Sequence, residues 1–86
     1  MDSSEKDWSG KELIGKDLNG QNLIEFDFSE ADLTEANLNG ADCSRAMFYR
    51  VRLRDAQAAK ACFREADLQE ANLSQALLQE IGRAHV

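Results

Sequence analysis

The chain has 86 residues and a formal net charge of -6, with 10 Lys and Arg against 16 Asp and Glu. This length suits one small domain, and the acidic balance disfavours direct binding to nucleic acid, which requires a basic surface. No run of about 18 apolar residues predicts a membrane span, and the acidic N-terminus differs from a signal peptide. We therefore expect a cytoplasmic protein that neither binds nucleic acid nor inserts into a membrane.

The first ten residues are polar and acidic around a single tryptophan, Trp8. They precede a regular pattern that begins at residue 11. Trp8 lies five residues, one period, before Leu13, the first large apolar residue of that pattern. We predict that residues 1–10 form an N-terminal cap.

From residue 11 to residue 80 the sequence repeats every five residues, in fourteen blocks without an insertion. The first position is Ala in nine blocks, the second is Asp or Asn in eight, and the third is Leu or Phe in twelve. On an α-helix a step of five advances by about 140°, so that no apolar stripe forms. On a straight β-strand, side chains five residues apart point to opposite faces. The period therefore predicts a chain that turns a corner in every block and coils around its large apolar side chains.

We assign the third positions to an inward-facing core stack. Its principal members are Leu13, Leu33, Leu53, Leu73, Phe28, Phe48, Phe63 and Leu68. Two small residues, Cys43 and Ala58, occupy third positions next to Phe63, and we interpret them as space left for that ring, because an unfilled void would destabilise the core. Cys62 lies at an outward second position, so we expect no disulfide with Cys43.

Several blocks, among them 31–35 (ADLTE), 36–40 (ANLNG), 66–70 (ADLQE) and 71–75 (ANLSQ), resemble the A(D/N)LXX signature of pentapeptide-repeat proteins. The resemblance covers about four fifths of the chain. It implies an all-β fold, a right-handed quadrilateral β-helix with four blocks in each coil. Residues twenty apart would then stack, and residues 11–80 would make about 3.5 coils.

This stacking places opposite charges next to each other in columns on the outside of the coil. Two fifth-position columns place an arginine between two glutamates, namely Glu25, Arg45 and Glu65, and Glu30, Arg50 and Glu70. A second-position column places Asp32 beside Arg52. Residues 1–40 carry 10 acids and 3 bases (-7), residues 41–65 carry 3 acids and 6 bases (+3), and residues 66–86 carry 3 acids and 1 base (-2). The basic band is thus predicted to be a structural counter-charge.

Few residues suggest catalysis or metal binding. The second-position carboxylates could be general acids or cation ligands, but their position in a repeat favours hydrogen bonds within turns. We expect no catalytic residue, no metal site and no cofactor. Met47 and Tyr49, which flank Phe48, should point outward beside Arg50. These three residues, Met47, Tyr49 and Arg50, are our candidate surface contact for a partner; scattered surface apolar residues are the alternative.

The repeat phase fails after residue 80, where the chain reads IGRAHV. We predict a non-repeat tail at residues 81–86. The same six residues are a translation of part of a common short-read sequencing adapter, which suggests read-through of a truncated gene fragment. The half coil at residues 71–80 would leave an open edge that can pair with another chain.

The sequence thus predicts a non-catalytic scaffold for protein–protein interaction, with another protein as its partner. The resemblance implies two alternatives. One is a DNA mimic that binds a type II topoisomerase and protects gyrase. The other is a structural repeat segment of a larger bacterial effector or regulatory protein.

Overall fold

The computed structural model describes residues 3–78 of the chain, and side-chain packing for residues 5–76. The predicted tail, residues 81–86, lies outside the described residues. A short 3-10 helix, Ser3–Lys6, leads into a four-sided coil. Strands β1, Gln57–Ala58, and β2, Leu77–Leu78, pair in parallel. Among the described residues, no helix is long and apolar enough to cross a membrane.

Residues twenty apart pair along the whole described coil. Parallel bridges join second-position residues of successive coils, from Asp7 with Asp27 to Arg52 with Asn72, and Gln57 with Leu77 continues the series. Each bridge uses backbone hydrogen bonds in both directions: the Leu33 N–H donates to the Arg52 carbonyl at 2.7 Å, and the Arg52 N–H donates to the Ala31 carbonyl at 3.0 Å. The predicted right-handed quadrilateral β-helix is confirmed.

Each corner of the coil is a turn with a left-handed residue. The N–H of a first-position residue donates to the carbonyl three residues earlier, as from Ala31 to Phe28 at 2.9 Å. The fifth position between them has a positive φ in every block from residue 10 to residue 75, between 56° and 70°. This is the third residue of a type II turn, which glycine adopts most readily. Only four of these fourteen residues are glycine, so ten turns accept some backbone strain.

The second-position side chains hold these turns. In nine blocks the side-chain oxygen of Asp or Asn accepts a hydrogen bond from the backbone N–H two residues later. The Oδ1 atom of Asp32 accepts from the Thr34 N–H at 3.1 Å and from the Thr34 hydroxyl at 2.6 Å. These Asp and Asn side chains therefore serve the fold as turn acceptors.

The core is a continuous column of third-position side chains, closed by first-position alanines. Phe28, Phe48 and Phe63 are at most 2% exposed, and the Phe28 and Phe48 rings stack with centroids 5.1 Å apart. Of the other assigned core residues, Leu33 and Leu53 are 0% exposed and Leu68 is 2% exposed. Leu13 and Leu73, near the two ends of the described coil, are half-buried. Both cysteines are free, Cys43 buried and Cys62 exposed.

The repeat geometry begins one block before residue 11. Asp7 bridges Asp27, and Gly10 has the positive φ of the other corners. Trp8 stands where the next two coils carry phenylalanine, and its ring meets Phe26 at 5.4 Å and Phe28 at 5.6 Å between centroids. The segment that we assigned to a cap thus combines the 3-10 helix with a first block of the coil.

Candidate protein-binding groove

One corner of the coil carries a polar surface groove of about 500 Å³. One wall is a column of fifth-position residues: Gly10, Glu30, Arg50 and Glu70. The other wall is the second-position column of the following blocks: Glu12, Asp32, Arg52 and Asn72. Val51 lies between the two walls. We call this feature the corner groove.

The charge of the corner groove is negative in the first, second and fourth coils and positive in the third. The second coil presents two carboxylates, Glu30 and Asp32, and the third presents two guanidinium groups, Arg50 and Arg52. Arg50 lies 3.9 Å from both Glu30 and Glu70, and Arg52 lies 3.9 Å from Asp32. The predicted placement of Arg50 between two glutamates and of Arg52 beside Asp32 is therefore confirmed.

These ion pairs are loose. At 3.9 Å each exceeds the 2.7–3.2 Å typical of a hydrogen bond. The side chains of Arg50 and Arg52 are 56% and 71% exposed, and exposed pairs contribute only about 0.2–1 kcal/mol each. Both guanidinium groups consequently keep donors that can turn to another molecule.

Tyr49 stands at the edge of the corner groove. Its hydroxyl donates a hydrogen bond to Glu70 Oε2 at 3.1 Å. This bond, together with the charge of Glu70, raises the pKa of the Tyr49 hydroxyl above its usual range. Because Glu70 meets both Tyr49 and Arg50, it links the aromatic ring to the charged wall.

The structure separates the three residues of the predicted surface contact. Tyr49 and Arg50 share the corner, whereas Met47 lies on the adjoining flat face, where it bridges Asp27 and Asp67 in the backbone ladder. Met47 is 46% exposed and Tyr49 is 37% exposed. The groove residues that sequence reasoning left out of the candidate contact are Glu12, Glu30, Asp32, Arg52, Glu70 and Asn72.

A signal in the sequence could have identified the coil to which Arg50 and Arg52 belong. The four blocks at residues 46–65 make one full coil, and none has Asp or Asn at its second position. Those positions carry Met47, Arg52, Gln57 and Cys62. These side chains have no role as Asx-turn acceptors, so the third coil presents residues that the repeat itself does not require.

Other columns differ in detail from the prediction. Arg45 lies 3.7 Å from Glu25, as expected. Glu65, the predicted second neighbour of Arg45, lies 3.9 Å from Arg64 within its own turn, because residues at the fourth and fifth positions are adjacent at the same corner. The charge ladder therefore mixes pairs between coils with pairs inside one corner.

Groups suited to catalysis or metal binding are sparse in the described part of the chain. Cys62 is exposed, with its Sγ atom 3.3 Å from the Ser44 hydroxyl oxygen. The one histidine, His85, lies outside the described residues. No group of three His, Cys, Asp or Glu residues within residues 3–78 is arranged to hold a metal ion.

The sequence profile described as pentapeptide repeats matches residues 12–42, 27–64 and 61–80, in 8 copies. A pentapeptide repeat protein from the thylakoid lumen of Arabidopsis thaliana is 32% identical, with a TM-score of 0.87 over 98% of this chain. A pentapeptide repeat protein from Nostoc PCC 7120 is 31% identical, with a TM-score of 0.51 over 87% of this chain. This chain covers 58% and 66% of those two proteins, respectively. A search of curated protein sequences found no significant match.

Proposed function

The chain belongs to the pentapeptide-repeat family, and from that premise we propose that it is a non-catalytic scaffold that binds another protein at the corner groove. Proteins of this family are generally structural repeat proteins. The observation that carries the proposal is the pair of exposed guanidinium groups of Arg50 and Arg52, which line the two walls of the corner groove and form only loose ion pairs. Tyr49 stands next to them.

A binding surface of this kind benefits from a fixed backbone. The groove walls are successive rungs of the hydrogen-bonded ladder, so the positions of their Cα atoms are set before a partner arrives. Binding to a preformed surface loses little conformational entropy. Tyrosine and arginine are also enriched among the residues that dominate binding energy at protein interfaces. Tyr49, Arg50 and Arg52 provide this combination.

The proposal is tested by selecting peptides from a displayed random library against the immobilised chain. We expect selected peptides to compete with one another and to lose most of their affinity for the double variant Arg50→Gln/Arg52→Gln. Lys60→Gln is the matched control, since Lys60 stands at the diagonally opposite corner of the same coil. If the selected peptides bind the double variant as well as the unaltered chain, the corner groove is not the binding surface.

A DNA mimic that binds a type II topoisomerase is a second candidate, supported by the fold and by the net charge of -6. Three arginines weigh against it, because Arg45, Arg50 and Arg52 each stand in a column of acidic residues and interrupt its negative charge. A gyrase supercoiling assay decides: inhibition or protection by the chain would support mimicry, and unchanged supercoiling at saturating protein would remove it.

The third candidate is a repeat segment within a larger effector or regulatory protein. The supporting fact is that the chain covers 58% and 66% of the two relatives. Those relatives come from a plant and a cyanobacterium, and the plant protein is from the thylakoid lumen. A bacterial source and a cytoplasmic location for this chain stay predictions.

A further inference from the structure

We propose that the corner groove binds an α-helix. Four successive turns of this helix carry charged side chains in the order basic, basic, acidic, basic. This inference rests on the proposed function, since it names the partner of the same groove.

The order of charge along the corner groove excludes a partner of uniform charge. The first coil contributes one carboxylate, Glu12, and the second contributes two, Glu30 and Asp32. The third coil contributes two guanidinium groups, and the fourth contributes one carboxylate, Glu70. A phosphate backbone would meet repulsion at three of these four rungs, and a polylysine segment would meet it at the third. A complementary partner must therefore present basic, basic, acidic and basic groups in that order.

The spacing of the rungs favours a helix over an extended segment. Successive coils lie about 4.8 Å apart, so the four rungs span about 14 Å. Side chains on successive turns of a helix lie about 5.4 Å apart and span about 16 Å over the same three intervals. Same-side residues of an extended strand lie about 6.7 Å apart and span about 20 Å. The helix therefore matches the spacing of the four rungs more closely than the extended strand does.

Tyr49 supplies an apolar contact beside this row of charges. The hydrogen bond from its hydroxyl to Glu70 Oε2 holds the ring at the groove edge. A leucine or methionine of the bound helix, one position beside the charged row, can cover the ring. Aromatic side chains with such a polar anchor are favoured at interfaces.

A second copy of the chain fits the groove less well. In an antiparallel pair, Glu30 and Asp32 of each copy could face the arginines of the other. The outer rungs would then place Glu12 against Glu70 of the second copy, and each chain carries a net charge of -6. Charge complementarity therefore favours the helix.

The test uses two synthetic alanine-rich helices of equal length and equal net charge, labelled with fluorescein. The matched helix carries Lys, Lys, Glu and Lys on successive turns, and the mismatched helix carries Glu, Lys, Lys and Lys. The mismatch holds in both helix directions, because glutamate then meets either Glu12 or Glu70. Fluorescence anisotropy should show about tenfold tighter binding of the matched helix, since two rungs change from attraction to repulsion. Equal affinities for the two peptides would overturn the proposal.

Variants of the chain locate the effect. Arg50→Gln/Arg52→Gln should reduce the preference for the matched helix, and Arg50→Glu/Arg52→Glu should favour the mismatched helix. Lys60→Gln should change neither affinity. Thermal melting of each variant verifies that it is folded, and the neutral double variant keeps the test valid if the charge-reversed one is unstable. An unchanged preference in a folded neutral variant would contradict the assignment of the groove.

Two further measurements separate this inference from the proposed function. A matched peptide with a central proline cannot stay helical; if it binds as tightly as the intact helix, the partner is not a helix. In sedimentation of the chain alone, Arg50→Gln/Arg52→Gln should leave the oligomeric state unchanged, and a dimer that this double variant dissociates would assign the groove to a second copy. If library-selected peptides need the two arginines but the matched helix does not bind, this inference fails while the proposed function stands.

Discussion

At the scale of single residues, position in the coil determines the chemistry of each side chain. Tyr49 points outward, and its hydroxyl donates a hydrogen bond to the carboxylate of Glu70, which raises the pKa of the hydroxyl. Cys43 points inward, and desolvation raises the pKa of its thiol to about 12. Cys62, nineteen residues later at a second position, is exposed. Residue type alone would treat the two thiols as equivalent.

The tyrosine provides a direct test, because the chain contains only one. Titration of Tyr49 by ultraviolet absorbance should give a midpoint above the ordinary value of about 10. Glu70→Ala should bring the midpoint down, since both the acceptor and its negative charge are removed. Glu65→Ala, which removes an exposed acid from another corner, is the control. Equal midpoints in the Glu70→Ala variant and the unaltered chain would show that the hydrogen bond is absent in solution.

The cysteines provide a second test. A thiol-specific reagent should modify Cys62 in the native chain and reach Cys43 only after unfolding, because a buried thiol with a pKa of about 12 forms little thiolate. Cys62→Ser should abolish the rapid reaction. Equal and rapid modification of both thiols in the native chain would contradict the inward orientation of Cys43.

At the scale of the element, the unit of the structure is the five-residue turn. Asp32 shows how it is held: the Thr34 hydroxyl and backbone N–H donate to its carboxylate, and Arg52 lies nearby. These donors lower the pKa of Asp32 in the folded state. The stabilisation is therefore present above the unfolded pKa of about 3.9 and is lost as the pH falls through the lower folded value.

Replacing this acceptor should destabilise the chain in a pH-dependent way. We expect Asp32→Ala to lower the free energy of unfolding by about 1 kcal/mol at neutral pH, as loss of comparable helix-cap hydrogen bonds does. Asp32→Asn, which keeps an oxygen acceptor, should lose less. Urea unfolding at pH 7 and at about pH 2 measures both. A loss for Asp32→Ala that is equally large at the two pH values would contradict the role of the ionised carboxylate.

The period of five predicted a chain that turns in every block, because an odd apolar spacing can keep its residues on one side only in that way. The stack of residues twenty apart needed the family resemblance as well, which implies four blocks in each coil. It also placed Arg50 between Glu30 and Glu70. The repeat could not predict the corner groove. It shows which residues stack in one column along the coil, but the groove forms between two columns, and their relative position depends on the shape of the corner. The phase of Trp8 was visible in the sequence, but its block lacks the Ala and Leu of the repeat, so the sequence did not show that the coil geometry already begins there.

At the scale of the whole molecule, one continuous core runs through the coil from Leu18 to Leu68. The aromatic rings form a connected series of contacts. Trp8 and Phe26 contact Phe28, which stacks on Phe48, and Phe48 meets Phe63 edge-on at 5.6 Å between centroids. The small residue Cys43 occupies the equivalent position one coil before Phe63. This packing keeps the ladder, and thus the groove walls, in a single register.

The core predicts an order of mutational effects. Phe63→Ala should lower the free energy of unfolding by about 3–5 kcal/mol, because Phe63 is 2% exposed and its removal leaves a cavity. Leu13→Ala should lower it by less, since Leu13 is half-buried in the first coil. Chemical denaturation of both variants provides the comparison. Equal losses would show that Phe63 does not fill the space beside the small residues.

The central claim is that this coil is a rigid scaffold whose partner binds at the corner groove. Fluorotyrosine incorporated into the chain labels Tyr49 alone, because the sequence contains a single tyrosine. Its fluorine resonance can be followed while a library-selected peptide is added. We predict a shift that saturates with the same dissociation constant as binding measured by anisotropy. A resonance that stays unchanged while the peptide saturates the chain would place the partner elsewhere and contradict the claim.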